Sequence, residues 1–268
     1  MARQPEGPPP PPTVQRVRIR YAKRGRLRFT SHRDFQRALE RALRRIQAPM
    51  AYSAGFNPHP KISYANAAPT GAASEAEYLE LGLAARVEPD ALRAALDAAL
   101  PPGLDVIDVV EARTSGLADR LEASLWRIEL PGVDPDAAAA AVEAFRVADR
   151  VEVSRMTKAG LRTFDARAAV LDVRVETTTS EALESAGRSA EEISSTGVAR
   201  VTDGGCAILR LVVRHVTPAV RPDDVLAALR SQALLAPPSP ARMTRLAQGP
   251  LDDRSGAVAD PLTADRTS

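Results

Sequence analysis

The chain has 268 residues, of which 44% are hydrophobic and only 4% aromatic, and its formal net charge is +2. This length predicts one large or two ordinary domains whose cores are built mainly from Leu, Val and Ala. The only cysteine, Cys206, excludes an intramolecular disulfide, a Cys-ligated iron–sulfur cluster and a Cys-rich zinc site. We therefore predict no metal and no cofactor.

The N-terminal residues 1–15 contain a proline run and predict a disordered leader without the apolar stretch of a signal peptide. No window approaches the roughly 18 apolar residues that are needed to span a bilayer. A single cysteine also fits a reducing compartment. We expect a cytoplasmic protein that does not contact a membrane.

The small net charge hides a strong asymmetry along the chain. Residues 16–61, the basic segment, contain thirteen Lys or Arg against two acidic residues, Asp34 and Glu40, which gives +11 and leaves −9 for the rest. A concentrated basic face attracts polyanions. The alternative is an ordinary solvated surface on which Arg replaces Lys, although such surfaces normally mix both signs of charge.

The first predicted elements are a strand and a helix. Residues 17–21 alternate apolar side chains with arginines, which is the period of a half-buried strand. Ser31 stands three residues before Asp34, the spacing of a capping box, so the helix should begin near His32. Pro49 should end it.

This helix is predicted to have an apolar face and an arginine face. Apolar side chains from Phe35 to Ile46 recur at helical spacing, and four arginines fall about 180° away along roughly 16 Å of helix. Guanidinium groups bind phosphate through two parallel hydrogen bonds and stack on bases. An acidic protein would satisfy the same arginines. The residues predicted to bind nucleic acid are Arg28, Arg33, Arg37, Arg41, Arg44 and Lys61.

The segment after the helix is rich in turn formers and cannot be helical through its two prolines, Pro58 and Pro60. Stiff loops often hold polar side chains that contact ligands. The candidate residues of this loop are Ser53, Gly55, Phe56, Asn57 and His59. Aromatic side chains interleave with the basic ones, as on single-strand RNA surfaces, although two of them, Phe29 and Phe56, would also suit a core. The four aromatic residues are Tyr21, Phe29, Tyr52 and Phe56.

The remaining elements complete two similar units. The order of predicted strands and helices indicates an α+β fold of two tandem ferredoxin-like βαββαβ units with disordered termini. We predict a basic ferredoxin-like domain at 16–112, a second one at 121–235 and a disordered tail at 236–268. Residues 177–200, rich in Thr, Ser, Glu and Ala, predict a flexible insertion in the second domain.

Catalytic residues are harder to predict, because the sequence has no phosphate-binding loop, no dinucleotide fingerprint and no His-Glu-x-x-His. Histidines are the only side chains that act as general bases near neutral pH without a shifted pKa. The candidate catalytic residues are His32, His59, Asp34 and Glu77. Structural explanations compete with a catalytic role at two places. The Ser31–Asp34 segment would serve to cap the helix, and His59 would be an ordinary exposed loop residue.

Three stretches resemble the radical SAM-associated domain family of unknown function: Leu27–Asp34, Tyr52–Ser63 and Pro69–Glu77. Weaker similarity extends through Thr157–Gly160 with Asp165 to Arg221–Asp223, so the resemblance covers about residues 16–230. It implies that such domains follow a radical SAM enzyme in many bacteria and stand alone in others. This chain lacks the cysteine trio of a radical SAM domain, so any radical chemistry would belong to a separate partner.

Three functions are compatible with these observations. The leading hypothesis is an accessory RNA-binding module that presents tRNA or rRNA to a radical SAM enzyme or another RNA-modifying or RNA-processing enzyme. The first alternative is an enzyme that uses the His, Asp and Glu candidates in the N-terminal domain. The second alternative is a pure protein-interaction partner.

Overall fold

A computed structural model describes residues 11–157, 160–176, 205–233, 235–252 and 254–266. These residues form five α-helices and ten strands, which are mainly antiparallel, so the predicted α+β class is confirmed. In chain order, the elements are β1 (Gln15–Lys23), α1 (His32–Arg45), β2 (Ile62–Ala65), β3 (Ala73–Leu83), α2 (Pro89–Ala99), β4 (Val106–Glu111), β5 (Ala123–Pro131), α3 (Pro135–Val147), β6 (Glu152–Thr157), β7 (Gly160–Asp165), β8 (Val170–Val175), β9 (Cys206–Arg214), α4 (Pro222–Ala233), β10 (Arg242–Gly249) and α5 (Thr263–Arg266).

The chain divides into two compact units. The first unit contains the residues up to Ser124 together with those from Thr244 onward, and the second unit contains Leu125–Met243. Both ends of the chain therefore contribute to the first unit. The tandem ferredoxin-like organisation stays a prediction.

The sheet of the first unit has β1 at its centre, antiparallel to β3 on one side and to β4 on the other. β2 pairs with the C-terminal half of β3, and β10 runs parallel to the start of β3. One face of this sheet packs against α1 and α2. The core between them is buried and consists mainly of aliphatic side chains, among them Val17, Ile19, Leu39, Leu43, Leu79, Leu81, Leu83, Leu92 and Leu96.

The other face of this sheet is also covered. Tyr78 and Ala76 of β3 pack there against Leu117 and Leu121, and the fully buried Leu262 joins them from the C-terminal segment. Because both faces are covered, β1 is buried along most of its length, including its arginine Arg18, which is 1% exposed. The alternation of β1 therefore leaves Arg16 in water but not Arg18 or Lys23.

The predicted disordered tail at 236–268 is wrong, because β10 and α5 both lie within it. The charged side chains that they bury lie against charged partners from the first hundred residues, so their burial leaves no charge unpaired. The predicted disordered leader, residues 1–15, is wrong at its end. Val14 N–H donates to the Leu83 carbonyl, and the Gln15 amide exchanges two hydrogen bonds with Val87. Residues 1–10 lie outside the described residues.

In the second unit, β9 lies between β5 and β8, and α3 and α4 pack together above a core that includes the fully buried Phe145. Strands β6 and β7 pair with each other in a separate two-stranded sheet. The flexible insertion predicted at 177–200 lies outside the described residues.

Helix α1 begins where the capping pattern predicts. The Ser31 Oγ accepts a hydrogen bond from the Asp34 N–H at 3.2 Å and donates one to the Asp34 carboxylate at 2.6 Å. Phe35, Leu39 and Leu43 are buried on the apolar face. The predicted amphipathic helix is confirmed, and its C-terminal end at Arg45 precedes Pro49.

Replacing Ser31 with Ala should lower the free energy of unfolding by about 1 kcal/mol, because the first turn loses the acceptor for its N–H group. Ser31→Thr keeps a capping hydroxyl and should cost at most a few tenths of that. Urea denaturation followed by far-UV circular dichroism compares the two. Equal stability of the Ala variant and the wild type would mean that water replaces this cap without loss.

Candidate nucleic-acid interface

Four arginines of α1 project from the side of the helix opposite to its buried residues. Arg33, Arg37, Arg41 and Arg44 are all exposed, and we call them the arginine face. Successive members are three or four residues apart, so they lie on one side of the helix along its whole length. The sequence predicts this arrangement correctly, because helical spacing alone determines it.

Acidic side chains neutralise the arginine face only weakly. Arg37 lies 3.8 Å from Asp34, and Arg44 lies 3.5 Å from Glu40. Exposed pairs of this spacing contribute about 0.3–0.5 kcal/mol, which a phosphate group can readily compete with. Within the described part of the chain, Arg33 and Arg41 have no hydrogen bond or ion pair with another residue.

Part of the positive charge that the sequence places in the basic segment is paired with carboxylates or buried inside the fold. On β1, Arg18 pairs with Glu80 and Asp265, and Lys23 donates from a buried position to two carbonyl oxygens. Arg24, just after β1, pairs with two carboxylates, those of Glu75 and Asp105. The count of +11 therefore overstates the charge that faces solvent, and the exposed part is concentrated on α1.

The loop after α1, residues 52–60, is closed by its own hydrogen bonds, and we call it the motif loop. The Ser53 N–H donates to the His59 carbonyl at 2.9 Å, and the His59 N–H donates to the Ser53 Oγ at 3.0 Å. Gly55 has φ of +128°, a conformation that side chains rarely adopt. Gly55, Phe56, Asn57 and His59 are exposed, so the loop presents these groups outward.

The motif loop lies beside the C-terminal half of α1. Tyr52 and Pro60 line a small cavity of about 40 Å³ together with Glu40 and Arg44 of the helix. Such a volume is too small for a nucleobase, so the cavity marks packing between loop and helix. The predicted loop residues and the C-terminal part of the arginine face thus belong to one surface.

Two predicted nucleic-acid-binding residues stand apart from the arginine face. Arg28 is half-buried, and its guanidinium lies over the ring of Phe29 at 4.8 Å from the centroid. Lys61 is exposed but donates to Thr13 Oγ1 at 3.0 Å. Lys61 is therefore already engaged with the N-terminal segment, whereas Arg28 extends the basic surface before the helix.

The interpretation of Tyr21 as a surface aromatic is wrong. Its ring is 4% exposed and stacks on Phe35 with centroids 4.4 Å apart. Burial raises the pKa of the Tyr21 hydroxyl well above its ordinary value, and the nearby carboxylate of Glu77 acts in the same direction. The other three predicted aromatics, Phe29, Tyr52 and Phe56, are exposed.

The described contacts do not join the four candidate catalytic residues to one another. His32 contacts Gln36 and the edge of Tyr64, and Asp34 accepts from its capping partner. His59 is exposed in the motif loop, whereas Glu77 is 2% exposed in a different environment. The catalytic role stays a prediction that no contact supports.

Glu77 belongs to a buried polar cluster inside the first unit. Its carboxylate accepts hydrogen bonds from Arg245 of β10 and from the Ala68 N–H. Arg245 donates also to the Asn66 carbonyl at 2.9 Å and to the side chain of Gln248 at 3.2 Å. Every charge of this pair is therefore compensated, and the cluster ties β10 to β3.

Lys23 lies at the edge of this cluster and is 5% exposed. Burial lowers the pKa of its ammonium group, and the neighbouring charge of Glu77 offsets this only in part. Its Nζ donates to the carbonyls of Ala68 and Pro69 at 3.3 Å each. These bonds hold the turn before β3, which is part of the third stretch quoted for the family resemblance.

Asp165, which belongs to the weaker part of the resemblance, has a structural role. Asp165 accepts from the N–H groups of Val151 and Arg167 at 3.0 and 2.9 Å, which closes the end of the β6–β7 hairpin. Lys158 and Ala159 lie outside the described residues. Cys206 is exposed with a free thiol.

The chain belongs to a bacterial protein family. Residues 16–222, more than three quarters of the chain, match the family described as "Uncharacterized protein conserved in bacteria (DUF2344)". A comparison with curated proteins finds no match. Among the described helices, none is long and apolar enough to cross a membrane.

Proposed function

We propose that this protein is an accessory RNA-binding module that holds RNA on the arginine face of α1 and on the adjacent motif loop. The observation that carries the proposal is the exposure of Arg33, Arg37, Arg41 and Arg44 in one row with only two weakly paired acids beside them. Phosphates repeat along RNA, so a row of guanidinium groups on a rigid helix can meet several of them at once.

The enzyme that would act on the bound RNA is proposed from the resemblance. Two of the three stretches that carry the resemblance contain the start of α1 and the whole motif loop, which supports a role shared with the arginine face. We propose a radical SAM enzyme or another RNA-modifying or RNA-processing enzyme as partner, with tRNA or rRNA as the shared substrate.

The ferredoxin-like organisation is part of this proposal. In its favour, the first unit has the order β1-α1-β2-β3-α2-β4, with β1 between β3 and β4. In such a plan both helices cover one face of the sheet. The helix α1 then has its apolar side against the sheet and its arginine face free for a polyanion.

The charge-reversed variant Arg37→Glu with Arg41→Glu should bind total tRNA at least tenfold more weakly than the wild type at low salt. Two phosphate contacts are lost, so the slope of log K against log salt should also become shallower by about 1.4–1.8, the values for single-stranded and double-stranded nucleic acid. Fluorescence anisotropy at several salt concentrations measures both quantities.

The matched control is Arg162→Glu with Arg174→Glu, which changes the net charge equally at two exposed positions of the second unit. It should keep most of the affinity. If both double variants weaken binding to the same degree, net charge rather than the arginine face accounts for binding. If the wild type binds no RNA at low ionic strength, the proposed function is wrong and a protein partner becomes the better explanation.

A further inference from the structure

The exposed aromatic side chains are not spread evenly over the described residues. Three aromatic side chains have large exposed fractions: Phe29 at 59%, Tyr52 at 40% and Phe56 at 66%. All three lie between residues 29 and 56, within the basic segment. The other exposed large apolar side chains of the described residues are not aromatic and lie outside this stretch: Val14, Val147, Met156, Leu161, Leu171 and Val216.

From this separation we infer that the arginine face binds single-stranded RNA, whose unpaired bases stack on Phe29, Tyr52 and Phe56. The inference rests on the proposed function and adds the strand state of the RNA and the groups that recognise it. Stacking on aromatic rings is open to bases that have left a duplex, because paired bases have both faces covered.

Phe29 is held ready for such a contact. The Thr30 N–H donates to the Leu27 carbonyl, and the Gly71 N–H donates to the Arg28 carbonyl at 2.8 Å, so the backbone around Phe29 is fixed on two sides. The Arg28 guanidinium lies against the ring at 4.8 Å. A base on the free side of the ring would complete a stack of guanidinium, ring and base, and Arg28 would place positive charge beside it.

Tyr52 and Phe56 are presented by the closed motif loop. Tyr52 lies where the loop meets α1, next to Arg44, and Phe56 follows Gly55 at the far end of the loop. Because Phe29 precedes α1 and the loop follows it, aromatic rings lie at both ends of the row of arginines. One strand of RNA could thus place phosphates on the helix and bases on the rings.

A protein interface is a less fitting explanation of the same surface. Protein interfaces are also enriched in aromatic residues and arginine, but they gather apolar side chains into a contiguous dehydrated core that is depleted of other charged residues. Between residues 29 and 56 the exposed large apolar side chains are aromatic only. Flat rings among guanidinium groups match the composition of surfaces that bind single strands.

The test uses the full chain and two fluorescent probes: oligo(A) of about 12 nucleotides, within the range of known single-strand sites, and a hairpin duplex with the same number of phosphates. Phe29→Leu and Phe56→Leu should each weaken binding of oligo(A) about five- to tenfold, because each removes one stacking partner. Affinity for the duplex and the salt slope on oligo(A) should stay unchanged. Phe29→Tyr and Phe56→Tyr, which keep the ring, should bind within about twofold of the wild type.

Leu161→Ala is the matched control, because it truncates an exposed apolar side chain far along the chain from the basic segment, and it should leave both affinities unchanged. Thermal unfolding midpoints equal to that of the wild type show that the Leu variants fold. Wild-type binding of oligo(A) by both Leu variants would overturn the inference, and so would an equal loss on the duplex. In both cases, weaker RNA binding by the double variant Arg37→Glu with Arg41→Glu would still support the proposed RNA-binding function. If the wild type binds neither probe, the proposed function fails as well.

Discussion

Replacing Arg245 with Met is expected to lower the free energy of unfolding of the first unit by about 3–5 kcal/mol. Arg245 and Glu77 form an ion pair in which both side chains are 2% exposed. Removing the guanidinium leaves the Glu77 carboxylate buried with the Ala68 N–H as its remaining donor. A buried charge without its partner costs far more than the net contribution of the intact pair.

The double variant Arg245→Met with Glu77→Gln separates the cost of the unpaired Glu77 charge from the net contribution of the intact ion pair. The Gln side chain has no charge and can still accept from the Ala68 N–H, so the double variant should regain at least 1 kcal/mol relative to Arg245→Met, as an order-of-magnitude expectation. A double variant less stable than the single one would mean that the loss comes from packing of the long Arg side chain.

The control lies on the same strand. Arg242→Met makes the same substitution at an exposed position of β10, whose side chain is 63% exposed, and should change stability by less than about 0.5 kcal/mol. Trp126, the only tryptophan, lies in the second unit, so amide hydrogen exchange of β1 and β3 is the suitable measurement. Unchanged protection of these amides in Arg245→Met would contradict the prediction.

The parts of the fold that the sequence predicts well depend on local rules. Helix α1 follows from its capping residues and from its apolar spacing, which are both contained in residues 31–46. Such patterns need no knowledge of distant partners. The exposed arginine face follows from the same spacing, which is why its four members were predicted correctly.

The burial of two side chains, Glu77 and Tyr21, could have been predicted from strand alternation. Glu77 is separated by even numbers of residues from Leu79, Leu81 and Leu83, so strand alternation puts it on their buried face. A buried carboxylate requires a cationic partner, so this alternation also predicts an ion pair for Glu77. Tyr21 belongs in the same way to the alternation of β1, which predicted its burial.

The partner of Glu77 could not be predicted from local patterns. Arg245 is 168 residues away, in a segment whose composition resembles a disordered tail. A short polar segment is buried when its charges meet complementary groups, and only the folded chain brings those groups together. The charge counted in the basic segment exceeds the charge that faces solvent for the same reason. Arg18 is paired with Asp265, which lies 247 positions later in the chain.

Asp265 should make the stability of the first unit depend on pH in the acid range. Its side chain has 0% exposure and accepts from the side chains of Arg18, Thr114 and Arg120, and also from two backbone N–H groups, those of Arg113 and Thr114. Burial raises the pKa of Asp265, but the hydrogen bonds from Thr114 and Arg18 outweigh this effect and lower the pKa to about 2.

The sign of the effect follows from proton binding. The folded state holds the Asp265 pKa below that of the unfolded chain, so the unfolded state binds the proton more readily. The stabilisation is complete above the unfolded pKa of about 4 and is lost as pH falls towards 2, by about 2–3 kcal/mol in all. Wild-type unfolding free energies should decrease accordingly between about pH 5 and pH 2.

Asp265→Asn should remove this dependence and lower stability at neutral pH by about 3 kcal/mol, because Arg18 and Arg120 lose their shared carboxylate. Urea denaturation monitored by amide exchange of β1, repeated from pH 7 to pH 2.5, measures both effects, with the exposed Asp119→Asn as control. The curves of wild type and Asp265→Asn should converge as pH falls. Parallel curves would show that Asp265 stabilises the sheet by packing alone, and that its charge contributes nothing to holding α5 in place.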